Sequence, residues 1–451
     1  MRRFDEMINE REGLISNQMF SAEIHEQELE RIFGHTWLFV AHDTMIPNPH
    51  DYITNFMGAD PVVIQRDAKG KVRVYLNKCR HRGAEVCLYE SGNAPAFTCS
   101  YHGWTYRDGA LMGMPFAKEA YREELDRSKF GLIEAPRVAQ LGGLIFASWD
   151  ADIMPLDDYL GDAKWYLENF LLHEEMGGLE VVPGAHRYMM PINWKLLAEN
   201  FAGDDYHFVN THASVIKIMQ QAQDQRIAHA PNPGEKMKKG YDFSIAANYK
   251  KGPPHGFLEV KVGPESFSHD MTQAKGLGPD AVEWLEERQR RIEARIARYT
   301  AKPYSFHAGN IFPNLALIGC GTAMYGKGLI LHHPHGPDST EVWMYCMVEK
   351  SAPQSVKERQ KFVLMQRQAA AGMVAPDDHE NFARIRKNLH TPMARDVKFH
   401  YAMQIGHDLD EHRPEDIRDS EKWPGLAVPQ FSEVMQRDFY RYWAELMDKA
   451  A

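Results

Sequence analysis

Hydrophobic and polar positions follow a short period in the first third of the chain and a longer one afterwards. Residues 61–66 (PVVIQR) and 71–76 (KVRVYL) are apolar-rich runs separated by Asp-Ala-Lys-Gly, a β-hairpin signature in which Gly70 supplies the positive φ of the turn. Residues 37–40 and 143–149 (GLIFASW) read as further strands. Residues 21–33 read as a helix: Ser21 is a candidate N-cap, Glu23 and Glu26 favour the positive end, and Ile24, Leu29, Ile32 and Phe33 are apolar among charges. The pattern predicts a small β domain at about 40–155, inserted into a larger domain formed by 1–39 and 156–451.

In that larger part the elements lengthen. Residues 183–191 have strand character, and a helix begins at Trp194. Residues 232–278, rich in Gly, Pro, Lys and His, read as loops and short strands around an active-site mouth. Residues 279–299 form an amphipathic helix with Val282, Leu285, Ile292 and Ile296 on one side. Strand-like runs at 310–319, 323–332 and 341–348 precede helices at 355–371 and 431–447. Strands framed by helices predict an α+β fold, with an antiparallel sheet covered by helices in the larger domain.

Composition narrows the function classes. The formal net charge of −10 over 451 residues argues against nucleic acid and against an anionic membrane surface as partners. No apolar run reaches the length of a membrane span, and the charged N-terminus shows no signal-peptide core. Of five cysteines, Cys87, Cys320 and Cys346 stand outside the motif below with no disulfide framework, which predicts a reducing, cytoplasmic setting.

Two stretches carry chemistry. Residues 79–102 hold Cys79 and His81 as C-x-H, then Cys99 and His102 as C-x-x-H. A structural zinc site usually groups like ligands, whereas here each loop brings one thiolate and one imidazole. That mixture suits a [2Fe–2S] cluster with two Cys on one iron and two His on the other, with zinc as the alternative. Cys87 lacks a partner at ligand spacing and reads as a packed thiol. Arg82 and Gly83 shape the loop, and Trp104 covers the cluster or simply fills the core.

Residues 200–212 concentrate Asn200, Asp204, Asp205, His207 and His212. On one helix Asn200, Asp204 and His207 share a face, but His212 lies about 140° round from His207. Both histidines reach one ion only if the helix widens or breaks, and a π-bulge-like distortion is predicted near 208–211. Two His and one carboxylate make the facial arrangement of non-haem Fe(II) oxygenases. The carboxylate lies at Asp204/Asp205 or downstream at Asp377/Asp378; the residues alone do not choose. Phe201, Phe208, Val209, Met373 and Val374 neighbour these groups and are candidate pocket residues alongside Asn200. His332, His333 and His335 look like a metal cluster but sit at a predicted strand end followed by Gly-Pro, and are read as structural.

CRHRG at 79–83 and CSYHGW at 99–104, together with the second stretch, resemble the large (α) subunits of Rieske non-haem iron aromatic ring-hydroxylating dioxygenases, and the resemblance extends loosely over most of the chain. It implies a Rieske [2Fe–2S] domain at 40–155 and a catalytic domain holding mononuclear Fe(II) on His207, His212 and Asp378. It implies that Asp204 joins His102 of one subunit to His207 of the next. It further implies electrons from NAD(P)H through a ferredoxin or reductase, O2 as co-substrate, an aromatic substrate taken to a cis-dihydrodiol, and an α3 ring commonly completed as α3β3 by a small β subunit. A Rieske monooxygenase or demethylase, and a zinc-stabilised binding protein without catalysis, are the rival readings.

Overall fold

The computed structural model describes residues 4–122, 124–171, 176–224, 243–261, 264–298, 304–319, 322–407, 424–429 and 431–449. The chain forms two compact units, Ile32–Leu156 and Met1–Arg31 with Asp157–Ala451.

The smaller unit is β-rich. Its hairpin pairs Asp60–Arg66 with Val72–Leu76, Ile64 opposite Val74. The turn closes because the Asp67 carboxylate accepts the amides of Lys69 and Lys71, both at 2.9 Å, while Gly70 takes φ +84°. Val62, Val63, Ile64, Val72 and Val74 are all buried, so this hairpin is covered on both faces. Asp51–Met57 and Ser91–Asn93 extend the sheet. A second small sheet joins Phe97–Thr98, Thr105–Arg107 and Ala110–Gly113. The two sheets hold the Cys/His loops between strands.

The larger unit is built on an antiparallel sheet of nine strands among the described residues. Its centre runs through Ser339–Glu349, Lys327–Gly336, Leu315–Ile318, Tyr304–Ile311, His255–Lys261 and Phe243–Ala247. The helix Trp194–Gly203 lies directly on it. Gly256 permits this: a Cβ there would stand 1.9 Å from the Ala202 carbonyl oxygen. The helix is tethered at its other end by Glu28 of the helix Ala22–Arg31. That buried carboxylate accepts from Trp194 Nε1 at 2.9 Å, Lys195 Nζ at 2.5 Å and Trp443 Nε1 at 2.7 Å.

Several elements differ from expectation. Within 232–278, Phe243–Ala247 and His255–Lys261 are full members of the sheet and Pro264–Leu277 is a helix; residues 225–242 and 262–263 lie outside the described residues. The run 310–319 is the end of one strand and the start of the next, turning at Phe312–Pro313, and the run 323–332 becomes strand only from Lys327. Ala375–Leu389 is a helix that begins at the Asp-Asp pair. His332 and His333 are interior to a strand rather than at its end, and burial pushes both imidazoles down to about 3, so they are neutral core residues. Cys87 and Cys346 are buried thiols, and Cys320 lies outside the described residues.

Candidate metal centres and active site

The two Cys/His loops have the same backbone design. In each, a glycine four residues after the cysteine takes a positive φ, Gly83 at +80° and Gly103 at +73°. Each glycine amide donates to the cysteine carbonyl at 2.9 Å. Each cysteine amide donates onward, Cys79 to the Ala84 carbonyl at 2.7 Å and Cys99 to that of Trp104 at 2.8 Å. The thiols sit inside, Cys79 3% and Cys99 2% exposed, while His81 and His102 are half-buried. The two imidazoles face each other, Nδ1 to Nδ1 at 3.1 Å, and His81 stacks on Trp104 at 4.9 Å between ring centroids. Tyr106 Oη lies 3.3 Å from Cys79 Sγ, placed to donate to a thiolate.

This spread tests the metal. Four ligands of one zinc stand about 2.0–2.3 Å from the ion and so lie close to one another. Among the described residues, the group of three or more His, Cys, Asp or Glu donor atoms within 4.8 Å of one another is His207, His212 and Asp378, and the Cys/His quartet is not such a group. Cysteines on the inner side and histidines on the outer side fit a two-iron cluster.

The second site is assembled by helix interruptions. The helix Trp194–Gly203 is started by Asn193, whose side chain accepts the Lys195 amide at 3.1 Å, and ends at Asp204, with φ −88° and ψ 81°. One helical turn, Phe208–Thr211, follows, with His207 at its start and His212 at its end; Ala213–Asp224 then begins a new helix. The predicted distortion at 208–211 is therefore misplaced: that segment is the helical turn, and the breaks flank it. Breaking on both sides turns His207 and His212 toward each other, ring centroids 5.4 Å apart. Asp204 Oδ1 stabilises the break by accepting the His207 amide at 3.3 Å.

Asp378 Oδ1 stands 3.4 Å from Nε2 of both His207 and His212. Behind each ring lies a second carboxylate. Asp204 Oδ2 is 3.4 Å from His207 Nδ1, and Asp377 Oδ2 is 3.4 Å from His212 Nδ1. Both rings thus turn Nε2 inward and Nδ1–H outward to an acid, the orientation metal-binding histidines adopt. Burial works against charging His207, but Asp204 and then Asp378 outweigh it and push its pKa up to about 9. Burial raises the Asp378 carboxyl above the usual range against the pull of the two histidines. Carboxylates crowded around two imidazoles are an excess of negative charge that a divalent cation neutralises, so the residues fit the iron.

A cavity of about 200 Å³ opens on this group. Phe201, Val215, Leu258, Ala308, Ile318 and Val374 supply its apolar lining; Asn200, Arg367 and Gln368 are its neutral or cationic polar members. Asn200, Phe201, Phe208 and Val374 therefore lie where expected. Met373 is not on the wall, and the Val209 side chain lies outside the described residues. Leu258, Ala308 and Ile318 come from three adjacent strands and carry no local sequence signal; only the sheet order brings them here.

Residues 156–449 match the family described as ring hydroxylating alpha subunit (catalytic domain), and residues 36–129 match the Rieske [2Fe-2S] domain. The biphenyl 2,3-dioxygenase subunit alpha of Rhodococcus jostii (strain RHA1) is 35% identical over 447 residues, covering 98% of this chain and 90% of its own. The large oxygenase component of the naphthalene 1,2-dioxygenase system of Pseudomonas aeruginosa is 33% identical, covering 94% of this chain and 91% of its own. The crystal structure of naphthalene 1,2-dioxygenase from Rhodococcus sp. bound to indole is similar with a TM-score of 0.81 at 33% identity, over 99% of this chain and 97% of that one. With both domains matched and the relatives aligned nearly end to end, the chain belongs to the α subunits of the aromatic ring-hydroxylating dioxygenases, enzymes that work with a Rieske [2Fe–2S] cluster and a mononuclear iron.

Proposed function

We propose that this chain is the oxygenase component that adds both atoms of O2 to an aromatic ring as a cis-dihydrodiol. Cys79, His81, Cys99 and His102 would hold the cluster on an inserted domain at 40–155, and His207, His212 and Asp378 would hold Fe(II) in the remainder. When bound, the iron supplies O2 activation and the cluster supplies electrons one at a time. The protein's own part is geometric. Asp204 and Asp377 hold the two imidazoles in one tautomer, and the apolar wall excludes water and orients a flat ring against the open side of the ligand group. Electrons would arrive from NAD(P)H through a ferredoxin or reductase, and small β subunits would complete an α3β3 ring.

The observation that carries this reading is the convergence of His207, His212 and Asp378 at the floor of an apolar cavity. The test is turnover of an arene such as toluene under isotopically labelled O2 with a reconstituted electron chain. Two labelled atoms in a cis-diol are expected. A product with one labelled atom would overturn dioxygenation in favour of single-atom insertion.

A further inference from the structure

Among the described residues, the cavity wall holds one arginine and no lysine. Arg367 is in the last turn of the helix Gln354–Gln368, and both Arg367 and Gln368 line the space above His207, His212 and Asp378. Apart from Asn200 and the two histidines, the wall shared with them is apolar or acidic. The acids present are Asp204, Asp205 and Asp378; Asp204 and Asp378 face the histidines, and none of the three stands within ion-pair distance of Arg367. Among the described residues neither the Arg367 guanidinium nor the Gln368 amide makes a hydrogen bond or ion pair. Arg367 instead lies over the Tyr325 ring, Cζ 5.3 Å from the centroid, which orients it without neutralising it.

The backbone fixes this arginine relative to the ligand group. The Val374 amide donates to the Arg367 carbonyl at 3.0 Å, and the Met373 amide to that of Gln366 at 2.9 Å. The chain thus folds back from Arg367 straight into the helix that presents Asp378. Gly372 allows the fold, since a Cβ there would meet the Arg367 carbonyl oxygen at 2.7 Å.

We propose that Arg367, with Gln368 beside it, is a substrate anchor, and that the ring bound in this cavity carries a carboxylate. A guanidinium binds a carboxylate through two parallel N–H···O bonds, which sets both position and angle of the attached ring. The apolar residues then take the ring itself and leave one edge toward His207, His212 and Asp378. This assignment rests on the oxygenase reading above and deepens it from an aromatic ring to an aromatic acid.

The test uses the metal-loaded protein with toluene and benzoate, which differ by a methyl against a carboxylate. Binding is measured by calorimetry, and turnover in parallel. Arg367→Gln is expected to weaken benzoate binding about 10- to 100-fold, the loss of a charge-assisted pair in an enclosed site, and to change toluene binding less than about twofold. Arg367→Lys, which keeps the charge but not the fork, is expected to fall between and serves where the glutamine variant does not assemble. Equal effects on both ligands, or a wild-type protein that binds toluene but not benzoate, would overturn the anchor. If the binding split appears but neither compound is oxygenated, the oxygenase reading fails while the anchor stands.

Discussion

Each histidine of the His207–His212–Asp378 group has its own acid behind it, and that pairing makes Asp377 more than a neighbour of Asp378. Asp377→Ala is expected to lower iron affinity at the mononuclear site by about 10- to 100-fold, the usual effect of losing a group that orients a ligand. Iron titration of the stripped protein measures it; unchanged affinity would make Asp377 a bystander. A second residue-scale prediction concerns Glu199, one position before Asn200. Burial pushes its carboxyl up to about 8, opposed by the Tyr401 hydroxyl, which donates to Oε1 at 2.8 Å. Its folded pKa is raised, so the native state holds a proton that the unfolded chain has already lost. Stability is full below the unfolded pKa and falls as pH rises from about 5 to 8, by up to about 1.4 kcal/mol per pH unit. Denaturant midpoints across that window should flatten in Glu199→Gln. The candidate ligands stand out at this scale because Cys, His and Asp at short spacing have few other joint uses. The choice between Asp377 and Asp378 was not legible in the sequence: adjacent residues on a helix point about 100° apart, and only the helix's rotation about its own axis decides which one faces the histidines.

The elements that aim these residues are held by features with weak sequence signatures. Glu28 ties three helices together through Trp194, Lys195 and Trp443. It sits in the charged run Glu26-Gln-Glu-Leu-Glu-Arg31, where Glu26 and Glu30 are exposed, so nothing local marks it as buried. Glu28→Ala leaves Lys195 buried without its partner, and is expected to destabilise the fold by about 3–5 kcal/mol, read from urea unfolding. Replacing Glu28 and Lys195 together by apolar residues should recover much of that. A loss equal to that of the single variant would refute the ion-pair account. Gly256 acts at the opposite end. Gly256→Ala forces the Ala202 backbone off the strand, and is expected to loosen iron retention while leaving the cluster's visible spectrum intact. The hairpin and the long helices were legible from period and turn chemistry. Ala375–Leu389 was harder to see because only Ala375, Phe382 and Leu389 are buried along it, too sparse a stripe to stand out. The strands at 243–261 were hidden by Gly, Pro and Lys around a Tyr-Lys-Lys turn, and by pairing with partners distant in sequence.

At the scale of the whole molecule, the two candidate metal-binding groups belong to different compact units, Ile32–Leu156 and the remainder. Loading should therefore be separable. Asp378→Ala is expected to bring the iron content from about three to about two per chain, with the cluster's absorbance unchanged; loss of both would mean the sites fold as one. The inner cysteines and half-exposed histidines of the first unit also give its cluster a direction, with His102 on the outer side next to the exposed ring of Tyr101. Asp204 is 37% exposed even though Oδ1 accepts the His207 amide and Oδ2 faces its ring, which leaves carboxylate surface for an imidazole from another subunit. If electrons cross between subunits there, two individually dead variants should complement each other. Cys99→Ser loses the cluster but keeps the iron site, and Asp378→Ala does the reverse. Mixed at random in a head-to-tail ring, about one interface in four pairs an intact cluster with an intact iron site, and activity should return to about that fraction of wild type. Adding Asp204→Ala to both variants should abolish the recovery even with iron saturated. Mixed rings that stay inactive would place the electron path within one chain and remove the bridging role from Asp204.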